Sequence, residues 1–281
     1  MEKIKEEFDY FLGLFLTDNP KYIDVYEGGK RLRPIIVLEI ASFLYPIWRT
    51  NQKLSYQIRM FALALETIHC SSLIIDDLPT LDNDTYRRGN LTFHTKYGRQ
   101  SAYLMVYNLL VLIKNIIWDN DDQSFEYLEF EELMNNEMDK LVLGQKYDLD
   151  NTWQPDKGSR TLKIAEYKTA SLFKLAFLGP YYLLHKELNK ELKITELKNK
   201  LEVLGLNLGM AFQLSDDFLD LEIDTNSNNY GLETSQKELI NKYNEYHNLI
   251  INDLSELNFN SSSSIYEIIN LMNKRFIKKS L

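Results

Sequence analysis

The sequence predicts an all-α protein, and three observations carry that reading. Apolar residues recur with helical spacing along most of the 281 positions, and no stretch alternates convincingly with a period of two. Glycine and proline are sparse, 11 and 6, and fall mostly between the helical segments. Neither a repeat nor a domain-sized shift in composition interrupts the pattern, so a single domain over residues 1–281 is expected.

Each element follows from local signals. Pro34, after Gly28-Gly29-Lys30-Arg31-Leu32-Arg33, suits the first turn of a helix running through Ile35 to Tyr45. Further helices are predicted over Ser55 to Asp77, Ser101 to Trp118, Phe125 to Lys146, Thr161 to His185, Ile194 to Asp220, Gln236 to Leu254 and Ser264 to Ile277. Loops are expected at Leu78 to Thr95, Asp148 to Ser159, Thr225 to Glu233 and Asn258 to Ser263. The apolar stretch Tyr103 to Trp118 is broken by Asn108, Lys114 and Asn115, which reads as a buried helix and not a membrane span.

Bulk properties narrow the function. A net charge of -9 argues against a nucleic-acid binder, which needs a basic face. Phosphorylated small molecules stay open, because a metal screens acidic side chains from them. The single cysteine, Cys70, permits no internal disulfide. The first residues mix acids and bases, unlike a signal or transit peptide, so the cytoplasm is the expected location.

Two acidic clusters carry the chemistry. Asp76 and Asp77 end an apolar helix, Pro79 stops it, and Asp82 and Asp84 follow. Carboxylates there oppose the helix dipole unless a cation binds nearby. Asp216, Asp217 and Asp220 form the second cluster, with Asp216 and Asp220 sharing a helix face. Taken singly, either cluster reads equally well as a solvated helix end. Both lie in apolar sequence, where acids are costly unless paired or metal-bound. Magnesium suits such sites, taking a few carboxylates together with waters and phosphate oxygens.

Basic residues supply a second anion site. Lys30, Arg31 and Arg33 sit at a helix start, where backbone N–H groups favour an anion, and Gly28 and Gly29 permit close approach. Arg87 and Arg88 follow the first acidic cluster, and arginine suits bidentate phosphate contact. His69 precedes Asp76 by two helical turns and projects to the same side. Lys168 and Thr169 add a cation and a hydroxyl, although Lys168 alone reads as an exposed helix residue.

The segments GGKRLRP, ETIHCSSLIIDDLPTLDNDTYRRG, LTFHTKYG, GQKYDL, YKTASLF and FQLSDDFLD occur in this order over about residues 28 to 220. Together they resemble the polyprenyl synthase family, specifically its farnesyl and geranylgeranyl diphosphate synthases. The resemblance implies the isoprenoid synthase helical bundle around a central active-site cavity, normally a homodimer. It implies that Asp76, Asp77, Asp82, Asp216, Asp217 and Asp220 hold magnesium, roughly three ions per site. Lys30, Arg33, His69 and Arg88 match positions that bind isopentenyl diphosphate. Arg87, Lys168, Thr169 and Gln213 match positions around the allylic diphosphate. The catalytic set it implies is Asp76, Asp77, Asp82, Asp216, Asp217 and Lys168. In the implied reaction the allylic C–O bond ionises, the isopentenyl double bond attacks the cation, and a proton is lost to the released diphosphate.

Product length is read from positions five and four before the first aspartate, Ser71 and Ser72. In the resembled family a bulky aromatic there shortens the product, so these small residues point to geranylgeranyl diphosphate or longer. Tyr103 and Tyr107 on the next helix offer a floor. The chain departs from the family pattern in three places. Ala170 stands where a glycine is common after Lys-Thr, and Tyr107-Asn108 where Gly-Asp is common. The first lysine after Asp220 is Lys237, so the lysine-bearing loop looks shortened. Two other readings remain: a synthase-derived terpene cyclase, and a regulatory subunit of a heteromeric synthase.

Overall fold

Helices account for nearly all regular structure in the computed structural model, which describes residues 1–118, 125–150, 158–188, 194–221 and 228–278. In chain order they are α1 (Glu2–Asp18), α2 (Leu32–Leu44), α3 (Gln52–Asp76), α4 (Phe93–Tyr97), α5 (Arg99–Trp118), α6 (Phe125–Leu149), α7 (Ser159–Ile164), α8 (Ser171–Leu183), α9 (Ile194–Asp220), α10 (Tyr230–Glu233), α11 (Gln236–Glu256) and α12 (Ser264–Lys278). The all-α expectation is borne out. The loop after α3 adds one antiparallel ribbon of two residues a side, β1 (Tyr86–Arg87) with β2 (Asn90–Leu91).

Apolar helices sit inside and amphipathic ones surround them. α8 is sheathed by α2, α3, α6 and α9 and buries Leu172, Phe173, Leu175, Ala176, Phe177 and Leu178. A helix apolar all round has to be interior. α3 starts on an Asn51 cap, whose side chain accepts from Leu54 N at 3.2 Å, and ends where Pro79 forbids another turn.

Several sequence expectations fail here: the loop expected over Leu78 to Thr95 holds the β1–β2 ribbon and the start of α4, and the one expected over Thr225 to Glu233 ends in α10, where the Asn229 side chain caps Gly231 N. The single helix expected over Thr161 to His185 is interrupted by a π-helical turn, Ala165–Ala170, between α7 and α8. Glycines on both flanking helices leave room for this wider turn. A Cβ on Gly144 of α6 would lie 2.6 Å from Lys168 N, and one on Gly209 of α9 would lie 2.5 Å from Ala170 Cα. Nor is α5 a buried helix: Tyr103, Leu104, Tyr107, Leu110 and Val111 are exposed. Helices α3 and α5 are both long and apolar enough to cross a membrane by length and composition, the first mostly buried and the second mostly exposed. The segment after Asp220 that reads as a shortened loop lies largely outside the described residues.

Candidate active site

The site forms at one end of the bundle, where the C-termini of α3 and α9, the N-terminus of α2 and the π turn converge. Asp76 and Asp77 are buried at the end of α3. Burial pushes the Asp76 carboxyl up to about 6 against the opposing pull of Lys168, with Asp82 and Asp148 adding to the rise. Asp77 and Asp82 are raised for the same leading reason. Arg87 of β1 binds both Asp77 and, at 3.0 Å, Asp84.

The π turn projects Lys168 toward this cluster. Its Nζ lies 2.7 Å from Asp148 and 3.8 Å from Asp76. Burial disfavours the ammonium, but Asp76 and Asp148 outweigh that and lift its pKa. The next residue, Thr169, donates to Gln213 Oε1 at 2.7 Å, and Gln213 Nε2 donates to Asp217 at 2.8 Å. A continuous polar chain therefore runs from Asp76 on α3 through the π turn to Asp217 on α9.

The second cluster is not uniform. Asp216 meets Arg275 of α12 at 2.5 Å, whereas Asp220 is exposed. Asp217 is buried and its other oxygen accepts from Tyr230 N at 3.0 Å. Its carboxylate thus serves as the acceptor that docks α10 onto α9, which the sequence expectation of a plain metal ligand did not foresee.

Beside these carboxylates lies a cavity of about 630 Å³, lined among others by Lys30, Arg33, His69, Arg88 and Asp216. Arg33 is buried with its plane 5.0 Å over Phe173, and its Nε has no partner among the described residues. Burial lowers it to about 10, with Glu66 opposing that shift. His69 lies 3.5 Å from Arg88, and burial together with the surrounding arginines drives its pKa well below 6.5. Arg33 is thus a buried cation, Lys30 and Arg88 are exposed ones, and His69 is held neutral beside them. Gly28 and Gly29, with φ of 71° and 95°, pack against the Arg88 side chain, so the close approach they permit serves that arginine. Arg31 belongs elsewhere: it pairs with Glu66 at 2.9 Å and Asp9 at 3.0 Å, tying α1 to α3.

The donor set fits magnesium. It consists of carboxylate oxygens on two walls, and among the described residues no three His, Cys, Asp or Glu groups form a ready-made cage. Carboxylate oxygens are the hard donors that magnesium takes, together with waters and phosphate oxygens. Protein cations, Lys168, Arg87 and Arg275, lie against the carboxylates.

Ser71 is buried and Ser72 half-buried on α3; their hydroxyls donate to Ile68 O and His69 O, leaving small side chains with no free polar demand. The residues expected to offer a floor lie on the surface of the chain. Tyr107 and Tyr103 are 70% and 55% exposed on the outer face of α5. Sequence reasoning missed Asp148, Asn228 and Arg275. Asp148 sat inside the quoted GQKYDL segment, whereas Asn228, which donates to Asp148 Oδ1 at 2.6 Å, had no local signal.

Fold and site together define a class: an all-helical bundle whose α3 and α9 each end in an acidic cluster, with a cavity beside them lined by Lys30, Arg33, His69, Arg88 and Asp216. Residues 17–234 match the polyprenyl synthetase family. The chain is 31% identical over 221 residues to the farnesyl diphosphate synthase of Buchnera aphidicola subsp. Schizaphis graminum, covering 77% of this chain and 69% of that one. It is 32% identical over 200 residues to the geranylgeranyl diphosphate synthase of Pantoea ananas, covering 70% and 62%. In fold it resembles a geranyltransferase from Helicobacter pylori complexed with magnesium and isoprenyl diphosphate, with TM-score 0.72, 25% identity and coverage of 92% and 86%. The chain belongs to the polyprenyl synthetase family, a magnesium-dependent family of prenyl transferases.

Proposed function

We propose that this chain condenses isopentenyl diphosphate with an allylic diphosphate, giving geranylgeranyl diphosphate or a longer product. The observation that carries this reading is the pairing of two acidic clusters with an adjoining cavity lined by Lys30, Arg33, Arg88 and a neutral His69. One diphosphate suits metal-laden carboxylates and the other suits Arg33, His69 and Arg88. Two diphosphates bound side by side convert a bimolecular encounter into a positioned one.

Asp76, Asp77, Asp82, Asp216, Asp217 and Asp220 would hold magnesium, which draws off the charge that builds on the departing diphosphate. Lys168 and Arg87 add fixed positive charge beside the same leaving group, and Thr169 and Gln213 hold the wall in register. Lys30, Arg33, His69 and Arg88 hold the isopentenyl anion still while its double bond attacks the allylic carbon. The apolar sequence before Asp76 excludes water from the cation. Small Ser71 and Ser72 leave room below the first cluster, which favours the longer product.

The exposed apolar face of α5 supports a homodimer, because a row of large apolar side chains in water is normally covered. The test of the activity is incubation with labelled isopentenyl diphosphate, each allylic primer and magnesium, followed by product sizing. Asp76→Ala and Asp216→Ala each cut turnover by about a hundredfold or more. Full activity in both variants refutes the assigned roles. Product formed without isopentenyl diphosphate identifies a cyclase instead.

A further inference from the structure

Arg275 belongs to none of the sequence motifs, yet it stands at the junction of the two half-sites. Its Nη1 lies 2.5 Å from Asp216 Oδ1 and donates to Ser215 Oγ at 2.5 Å. Its plane lies 5.0 Å over Phe212. The placement is built by α12. Phe276 stacks on Phe218 of α9 at 4.4 Å and packs on Tyr243 of α11 at 4.2 Å, while the Tyr243 hydroxyl donates to Asn273. From this anchored helix the guanidinium lines the same cavity as Lys30, Arg33, His69 and Arg88.

We propose that Arg275 is a resident counter-cation of Asp216 that divalent metal displaces, and that the freed guanidinium then binds the anion of the adjoining pocket. This deepens the reading above and rests on it. A carboxylate oxygen held by a guanidinium cannot also give a metal its full share of charge, and two cations sharing one carboxylate repel each other. The guanidinium needs only a side-chain rotation to face the pocket, because it already borders it. Metal binding at one half-site and isopentenyl diphosphate binding at the other thereby become coupled, each favouring the other.

The test labels the full wild-type chain with phenylglyoxal and maps Arg275 by mass spectrometry. Magnesium alone speeds labelling of Arg275 by about fivefold, the scale of one lost ion pair. Adding isopentenyl diphosphate suppresses it again. Labelling unchanged by magnesium overturns the proposal. In a second arm, Arg275→Gln binds Mn2+ more tightly by about fivefold in the absence of diphosphates, read by electron paramagnetic resonance, since a competitor is gone. The same variant has a raised KM for isopentenyl diphosphate. An arginine that only anchors α12 would change neither and would lower Tm. Should the variant fail to fold, the wild-type labelling decides alone. If the chain shows no turnover but magnesium still releases Arg275, the activity reading fails and the counter-cation stands. Normal turnover with Arg275 still protected sinks the counter-cation only.

Discussion

Single side chains in this molecule are tuned by what is taken away from them, namely water. His69 shows the consequence for stability. Its pKa is lowered by burial and by Arg33 and Arg88, so the unfolded chain binds a proton more readily than the native one. The stability this group allows is fully present above its unfolded value near 6.5 and is lost as pH falls below it. His69→Gln should remove that loss, gaining about 1 kcal/mol over wild type at pH 5.5 and nothing at pH 8, measured by urea unfolding at both. Equal gains at both pH values would exclude the titration. Ser71 carries the second prediction at this scale. Ser71→Phe fills the space before the first cluster and shifts the product to a shorter chain. Unchanged length on product sizing rejects the small-residue reading. Carboxylates and serines of this kind were legible in the sequence because their meaning is compositional: an acid or a small residue in apolar surroundings declares itself.

Elements show where local rules give way. Helical period, caps and proline positions set most helix boundaries within a turn, as α3 and α9 illustrate. The π turn at Ala165–Ala170 was not legible, because no propensity distinguishes it from an ordinary helical turn. It exists where Gly144 and Gly209 let α6 and α9 press on its backbone from two sides, and it aims Lys168 at Asp76. Gly209 sits opposite Ala170, so the small residue the family pattern places at 170 is supplied from across the interface. Gly144→Ala should therefore cost about 1–3 kcal/mol in denaturant unfolding through overpacking against the backbone of Lys168. It should also lower turnover, since that backbone moves. A fully active variant of wild-type stability would show that the close approach is dispensable.

At the scale of the whole molecule, the outer face of α5 carries a row of large apolar side chains that the described chain's own packing does not cover. Tyr103, Leu104 and Tyr107 stand in water there. The sequence could say that this helix is apolar but not which side of it would be covered. Sedimentation of the wild-type chain should give a dimer. Tyr107→Glu, which places a charge in the middle of that face, should shift it to a monomer at micromolar concentration. A wild-type monomer would remove the dimer reading, along with any role for Tyr107 in a floor shared between chains.

The sequence by itself determined most of the long helices, the two acidic clusters and the basic residues beside them, because each is a property of neighbours within a few turns; it did not give α1, α4, α10 or the π turn. Tertiary structure alone decided which cation answers which carboxylate. Lys168 goes to Asp148 and Asp76, Arg87 to Asp77, Arg275 to Asp216, while Asp217 turns inward to hold Tyr230 N. Those pairings join positions up to scores of residues apart. They depend on how the helices pack, and no local pattern records the distance between two charges on different helices.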